Sequence, residues 1–133
     1  MADFKFDLVS PERRLASVDA TEVQIPGADG DMTAMADHAP TITSLRPGIL
    51  SVVHAGGKDD YFVLGGFAEI APDTVSVLAE KAVPTAELNA ELRDELIANA
   101  DKAHEAAVSS GQGVDEAAQV RAAIVDAMGT VGL

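Results

Sequence analysis

The period of the apolar pattern changes once along this 133-residue chain, at Val83-Pro84-Thr85, and the change demands two kinds of structure in one molecule. Ahead of it, apolar residues recur at every second position, with frequent Gly and Pro. Asp3-Phe4-Lys5-Phe6-Asp7-Leu8 alternates strictly, which sets Phe4, Phe6 and Leu8 on one face of a strand. Glu22-Val23-Gln24-Ile25 repeats the alternation and stops at the turn signal Pro26-Gly27. Ile49-Leu50-Ser51-Val52-Val53 follows Pro47-Gly48, and Tyr61-Phe62-Val63-Leu64 follows Gly56-Gly57-Lys58-Asp59-Asp60, which reads as a hairpin connection. Phe67-Ala68-Glu69-Ile70 and Thr74-Val75-Ser76-Val77-Leu78 complete the series around Pro72-Asp73, and Gly65-Gly66 predicts a bulge or sharp bend. Many short strands at regular spacing predict an all-β sandwich or flattened barrel over residues 1–84.

Residues 85–133 follow a helical period instead. Thr85 is the expected N-cap, with Glu87 in the first turn, where the helix dipole favours an acid. Leu88, Leu92, Leu96, Ala100, Ala103 and Ala107 make a narrow apolar stripe, and Ser109-Ser110-Gly111-Gln112-Gly113 turns the chain. Asp115 is the expected cap of a second helix carrying Ala117, Val120, Ile124 and Met128 on one face. The fold class is therefore α+β in two parts: an N-terminal sandwich, then an antiparallel αα-hairpin. The alanine-rich stripes bury little area, so the hairpin should be marginally stable alone and easily displaced.

Charge narrows the function classes. The chain carries −13, which argues against nucleic acid and against an anionic lipid surface. Three of nine basic and nine of 22 acidic residues lie in 85–133, leaving six and 13 before it, so the two parts carry −6 and −7. With nearly half the excess on the shorter part, a long acidic helical face should stand in water. There is no cysteine, hence no disulfide framework, thiolate metal site or Cys nucleophile. Met1-Ala2-Asp3-Phe4-Lys5-Phe6-Asp7 lacks the basic and apolar regions of a signal peptide, and no apolar run is long enough to span a membrane, so no direct membrane insertion is expected.

Little in the chain suggests catalysis. His38, His54 and His104 show no i, i+4 metal spacing. Asp37-His38 could act as a ligand pair or an acid–base pair, but no third ligand or nucleophile stands nearby. The plainer account has His38 packed in its loop. Asp59-Asp60, Asp94-Glu95 and Asp115-Glu116 read as solvated acidic surface. Gly27-Ala28-Asp29-Gly30 has no helix N-terminus or Lys behind it to cradle phosphate. No catalytic residue, metal site or cofactor is expected, and the residues alone point to an acidic, non-catalytic, two-part interaction module, with an acidic β-sandwich enzyme built on Asp37-His38 as the rival.

Phe6-Asp7-Leu8-Val9-Ser10-Pro11, Val23-Gln24-Ile25-Pro26-Gly27-Ala28-Asp29-Gly30, Asp37-His38-Ala39-Pro40, Arg46-Pro47-Gly48, Gly65-Gly66-Phe67-Ala68-Glu69-Ile70 and Val75-Ser76-Val77-Leu78-Ala79-Glu80 come in an order and spacing that resembles the epsilon subunit of bacterial F-type ATP synthases, called delta in mitochondria. The resemblance runs to about Met128. It implies a non-catalytic central-stalk subunit that seats the gamma shaft on the c-ring and passes proton-driven rotation to the catalytic head. It would be peripheral, at the cytoplasmic face of the bacterial inner membrane. Its residues 1–84 would dock gamma through Ser10, His38, Ala39 and Pro40, and the c-ring through Asp29, Gly30, Asp31 and Met32.

Two departures touch regulation. Some relatives bind ATP through a Leu/Ile-Asp-x-x-Arg-Ala signature. Here Leu88-Asn89-Ala90-Glu91-Leu92-Arg93-Asp94 puts Asn89 for Asp, Arg93 one position late and Asp94 where Ala should be, so no ATP binding is expected. Inhibitory relatives push a basic second helix against an acidic segment of the beta subunits. This one offers Arg121 against Asp115, Glu116 and Asp126, so weak or absent ATPase inhibition is expected. The alternative is an ATP-sensing inhibitor that reaches the alpha and beta subunits through the hairpin.

Overall fold

A computed structural model of the chain describes residues 3–37 and 39–133. The chain divides into two compact units, Met1–Thr85 and Ala86–Leu133. Among the described residues the first unit holds nine strands: β1 (Phe4–Val9), β2 (Arg14–Gly27), β3 (Gly30–Met35), β4 (Thr41–Ser44), β5 (Gly48–His54), β6 (Gly57–Leu64), β7 (Phe67–Ile70), β8 (Thr74–Leu78) and β9 (Lys81–Pro84). The path of pairing is β4-β7-β8-β1-β2-β5-β6-β9, with β3 beside β2; β1 and β8 run parallel and the other pairs antiparallel.

The long strand β2 makes this sheet a sandwich. Its first half pairs with β1, and its second half lies between β3 and β5. The register with β5 slips between Ala20 and Glu22. A one-residue slip exchanges the two faces of a strand. Accordingly Ala16, Val18 and Ala20 turn to the core before the slip, and Val23 and Ile25 after it. One layer is thus β4-β7-β8-β1 with the start of β2, and the other is β3, the end of β2, β5, β6 and β9. Both layers contribute to one core, with Phe6, Leu8, Val23, Ile25, Leu50, Ile70 and Val75 essentially inaccessible. Burying one such side chain contributes about 1.5–3 kcal/mol.

After β4, β6 and β8 the chain passes between layers at residues 45–47, 65–66 and 79–80. Gly65 and Gly66 have φ of 67° and 97°, which a side chain rarely adopts. A Cβ on Gly66 would also overlap the Leu78 carbonyl oxygen. The Gly66 carbonyl accepts from the Leu45 N–H at 3.0 Å, and the Val9 carbonyl from the Ala79 N–H at 2.9 Å, so the crossings are pinned beside the end of β1.

Several local expectations are corrected. The β5–β6 connection is Ala55-Gly56 alone, because Gly57–Asp60 already pair with Ser51–His54 on β5. Asp59 and Asp60 are not a merely solvated pair: Asp59 meets His54 Nε2 at 2.8 Å, and Asp60 accepts from the Ser51 hydroxyl at 2.6 Å. The start of β2, and β3, β4 and β9, add strands that the apolar alternation left unmarked.

The second unit holds α1 (Ala90–Ser110) and α2 (Val114–Thr130). Thr85–Glu87 forms a 3-10 turn, and the cap of α1 is Asn89, whose Oδ1 accepts from the Leu92 N–H at 2.8 Å. Gly111 closes α1 in the left-handed region, with its N–H on the Ala107 carbonyl. Gly113, not Asp115, caps α2, and Asp115 lies in the first turn as a dipole partner. The apolar stripe of α1 turns after Ala100, leaving Ala103 exposed and His104 half-buried; on α2, Val120 is exposed and Ala127 is buried with Ile124 and Met128. Pairing of Arg121 with Asp101, and of Arg93 with the Leu133 main-chain oxygen, runs the helices antiparallel.

Candidate functional site

Strand pairing aligns Ser44, Phe67, Leu78, Val9 and Arg14 across the outer face of the β4-β7-β8-β1-β2 layer. The neighbouring row on that face, Ile42, Glu69, Ser76, Asp7 and Ser17, is polar except for Ile42. Ile42, Phe67 and Leu78 are 72%, 41% and 47% exposed. Apolar side chains gathered on an outer sheet face mark a surface built to be covered. Beside the row lies an open groove of about 340 Å³, walled by Val9, Pro11, Phe67, Leu78 and Ala79 and carrying one charged lining residue, Glu80. The pinned crossings at Gly65-Gly66 and Ala79-Glu80 position it.

Ser10 also lines the groove, but it is buried, and both its N–H and its hydroxyl donate to the Arg13 carbonyl at 2.9 and 3.3 Å. It shapes the groove wall and offers no free donor. Ala39 and Pro40 are exposed just ahead of β4, towards the Ile70 end of that face, whereas Ser10 lies towards its Phe67 end. His38 lies outside the described residues. Its neighbour Asp37 adopts φ 64° and donates its N–H to the Pro72 carbonyl at 2.8 Å.

The second candidate surface is the β2–β3 hairpin. Gly27 pairs with Gly30 around the two-residue tip Ala28-Asp29. A Cβ on Gly27 would come within 2.7 Å of the Gly30 carbonyl, so glycine is what lets the strands close here. Arg46 clamps the hairpin: its Nη1 donates to the Gly27 carbonyl at 2.6 Å, its Nη2 pairs with Asp31, and its N–H donates to the Pro26 carbonyl at 3.0 Å. Asp31 is therefore held by Arg46, Met32 packs against the core, and Asp29 and Gly30 remain exposed at the tip. Arg46 acts across 15 residues, a reach that its sequence position beside Pro47-Gly48 does not reveal.

Titratable chemistry is sparse. His54 accepts from the Gly56 N–H on Nδ1 at 3.0 Å, which leaves Nε2–H to donate to Asp59. Burial, and then the charge of Asp59, push the Tyr61 phenol above its ordinary value. Among the described residues no group of three His, Cys, Asp or Glu is placed to hold a metal, and no helix is long and apolar enough to cross a membrane. At the degenerate nucleotide signature, Leu88 is half-buried, Asn89 caps α1, and Arg93 donates to the Leu133 oxygen and pairs with Asp94, each at 3.0 Å.

Residues 3–85 match the family described as the ATP synthase, Delta/Epsilon chain, beta-sandwich domain. The chain belongs to that family. It is 65% identical to the ATP synthase epsilon chain of Fuscovulum blasticum over 86% of this chain and 84% of that one, and 53% identical to the epsilon chain of Rhodobacter capsulatus over 98% and 97%. A chain in the Euglena gracilis mitochondrial ATP synthase, solved as an OSCP/F1/c-ring assembly, superposes with a TM-score of 0.63 at 31% identity, covering 96% of this chain and 76% of that one. As a delta/epsilon-family member the chain is a non-catalytic subunit of the ATP synthase central stalk, and the enzyme reading of Asp37-His38 falls with that membership.

Proposed function

We propose that this subunit is a rotor adaptor: it grips the gamma shaft with the outer face of the β4-β7-β8-β1-β2 layer, meets the c-ring with the β2–β3 tip, and passes proton-driven rotation to the catalytic head. The observation that carries the reading is the exposed pair Phe67 and Leu78, in one row with half-buried Val9 and with exposed Ile42 beside it, next to an apolar groove. Covering such a surface is the usual source of interface affinity, whereas scattered acids set register. Ala39 and Pro40 sit at the far end of the same face, so one partner surface can span both ends, with Ser10 holding the groove wall. Asp29 and Gly30 stand free to meet basic or polar loops, while Asp31 and Met32 support the tip from behind. The superposed relative from an assembly containing F1 and the c-ring supports this placement. The adaptor would work at the cytoplasmic face of the bacterial inner membrane, as a peripheral component.

The hairpin reads as a poor brake. Its second helix has one cation, Arg121, already tied to Asp101, and Arg93 is tied to Leu133 and Asp94. An extended α2 would bring Asp115, Glu116 and Asp126 to the acidic segment that inhibitory relatives engage through basic side chains, and unpaired acids at an interface are costly. Asn89 and Arg93, occupied in building the hairpin, leave ATP nothing specific to bind. Removing residues 86–133 tests this: ATPase activity of the isolated catalytic sector should change less than about twofold, and a several-fold rise would restore the inhibitor reading.

A further inference from the structure

We propose that Glu80 selects what the groove admits, and that its ligand is a lysine or arginine side chain of the gamma subunit, laid along the apolar walls with its charged head on the Glu80 carboxylate. The inference rests on the docking reading above and adds the chemistry of the contact.

Three observations carry it. Glu80 is the charged residue lining an otherwise apolar groove, and among the described residues it has no ion pair. Its carboxylate is set in place by Gly65: a Cβ built there would lie 2.6 Å from the Glu80 carboxyl carbon, so the missing side chain leaves the seat in which the acid rests. The groove gives it little help, since the Ser10 hydroxyl is spent on Arg13 and Pro11 has no N–H. A partner that covers Phe67 and Leu78 also strips water from this carboxylate. A desolvated, unpaired acid would cancel much of the gain from apolar contact, so the partner must bring a cation. Lysine and arginine suit the walls as well, because their stems are apolar and only their tips are charged. Arg14 stands beyond Val9 in the same row, so an approaching segment meets the acid just past Leu78 and a base two strands away, an asymmetry that favours one direction.

The test uses the full chain and purified gamma. Affinity is measured at low and high salt for wild type, Glu80→Gln and Phe67→Ala. Glu80→Gln keeps the side-chain shape, and circular dichroism reports whether either variant has lost its fold. The expected result is about a tenfold loss for Glu80→Gln at low salt that shrinks at high salt, with a loss for Phe67→Ala that salt leaves unchanged. If Phe67→Ala weakens binding but Glu80→Gln binds like wild type at every salt concentration, the cation inference is wrong and the docking face stands. If both folded variants bind like wild type, the docking face is wrong as well.

Discussion

The two units are held together by different physics. In the sandwich one apolar core draws on both layers, and polar ties such as Arg46 to Gly27 and Asp31 decorate it. In the hairpin the buried residues are Leu96, Ala100, Ile124, Ala127 and Met128, and side-chain ties at the open end and middle, Arg93 to Leu133 and Arg121 to Asp101, stitch the helices. Charged contacts contribute little when solvent reaches them, whereas a closed core is cooperative. On the proposed adaptor reading, the torque-bearing surface falls on the unit with the cooperative core, and the hairpin is the unit whose ties solvent can loosen.

The largest effect that sharpens this contrast is a core deletion. Phe6→Ala should lower the stability of the sandwich by about 3–5 kcal/mol in urea unfolding. A loss below about 1 kcal/mol would mean that the core is not the element holding it. Next is the clamp. Arg46→Ala removes the two side-chain bonds at the β2–β3 hairpin and should cost about 1–2 kcal/mol, whereas Asp29→Lys should leave stability within about 0.5 kcal/mol and weaken proton-driven ATP synthesis. Asp31→Lys should do both, because the substituted residue repels Arg46 as well as any basic c-ring loop. Unchanged synthesis in Asp29→Lys would remove the tip from the c-ring interface.

In the hairpin, Arg121→Gln should cost only about 0.5–1 kcal/mol, since both partners are half-exposed. Its signature is faster amide exchange in α1 and α2 with the strands unchanged; faster exchange in the strands instead would break the contrast. The smallest effect concerns Tyr61. Its phenol is raised in the folded chain, so its contribution to stability is fully present below the ordinary phenol value and lost as pH rises through the folded one. Ultraviolet titration should show a tyrosinate step above pH ~10 and a matching decline in sandwich stability, and Tyr61→Phe should remove both.

What could be read in the sequence follows the strength of its local marks. β1 was plain because Lys5 and Asp7 label the solvent face between Phe4, Phe6 and Leu8. The first half of β2 was not, because Ala16, Ser17 and Ala20 carry little contrast and the slip before Glu22 reverses the phase. Thr41–Ser44 is too short and hydroxyl-rich to show a period, and Lys81–Pro84 looks like a linker. Thr85 and Asn89 are both capping residues, and only the 3-10 turn between them decides for Asn89. The exposed row escaped because Phe67 stands next to Ala68 and Leu78 next to Val77. Both faces of those strands look apolar, and pairing with β1 is what tells the inward side from the outward one.

The most direct test of the adaptor reading is the affinity for gamma of the full chain carrying Phe67→Asp and Leu78→Asp, measured beside a Val108→Asp control on the exposed surface of α1. Two acids in the apolar row should weaken binding at least about a hundredfold, with the far-ultraviolet spectrum preserved and the control binding like wild type. Wild-type affinity in the folded double variant would contradict the account and move the gamma interface to another surface.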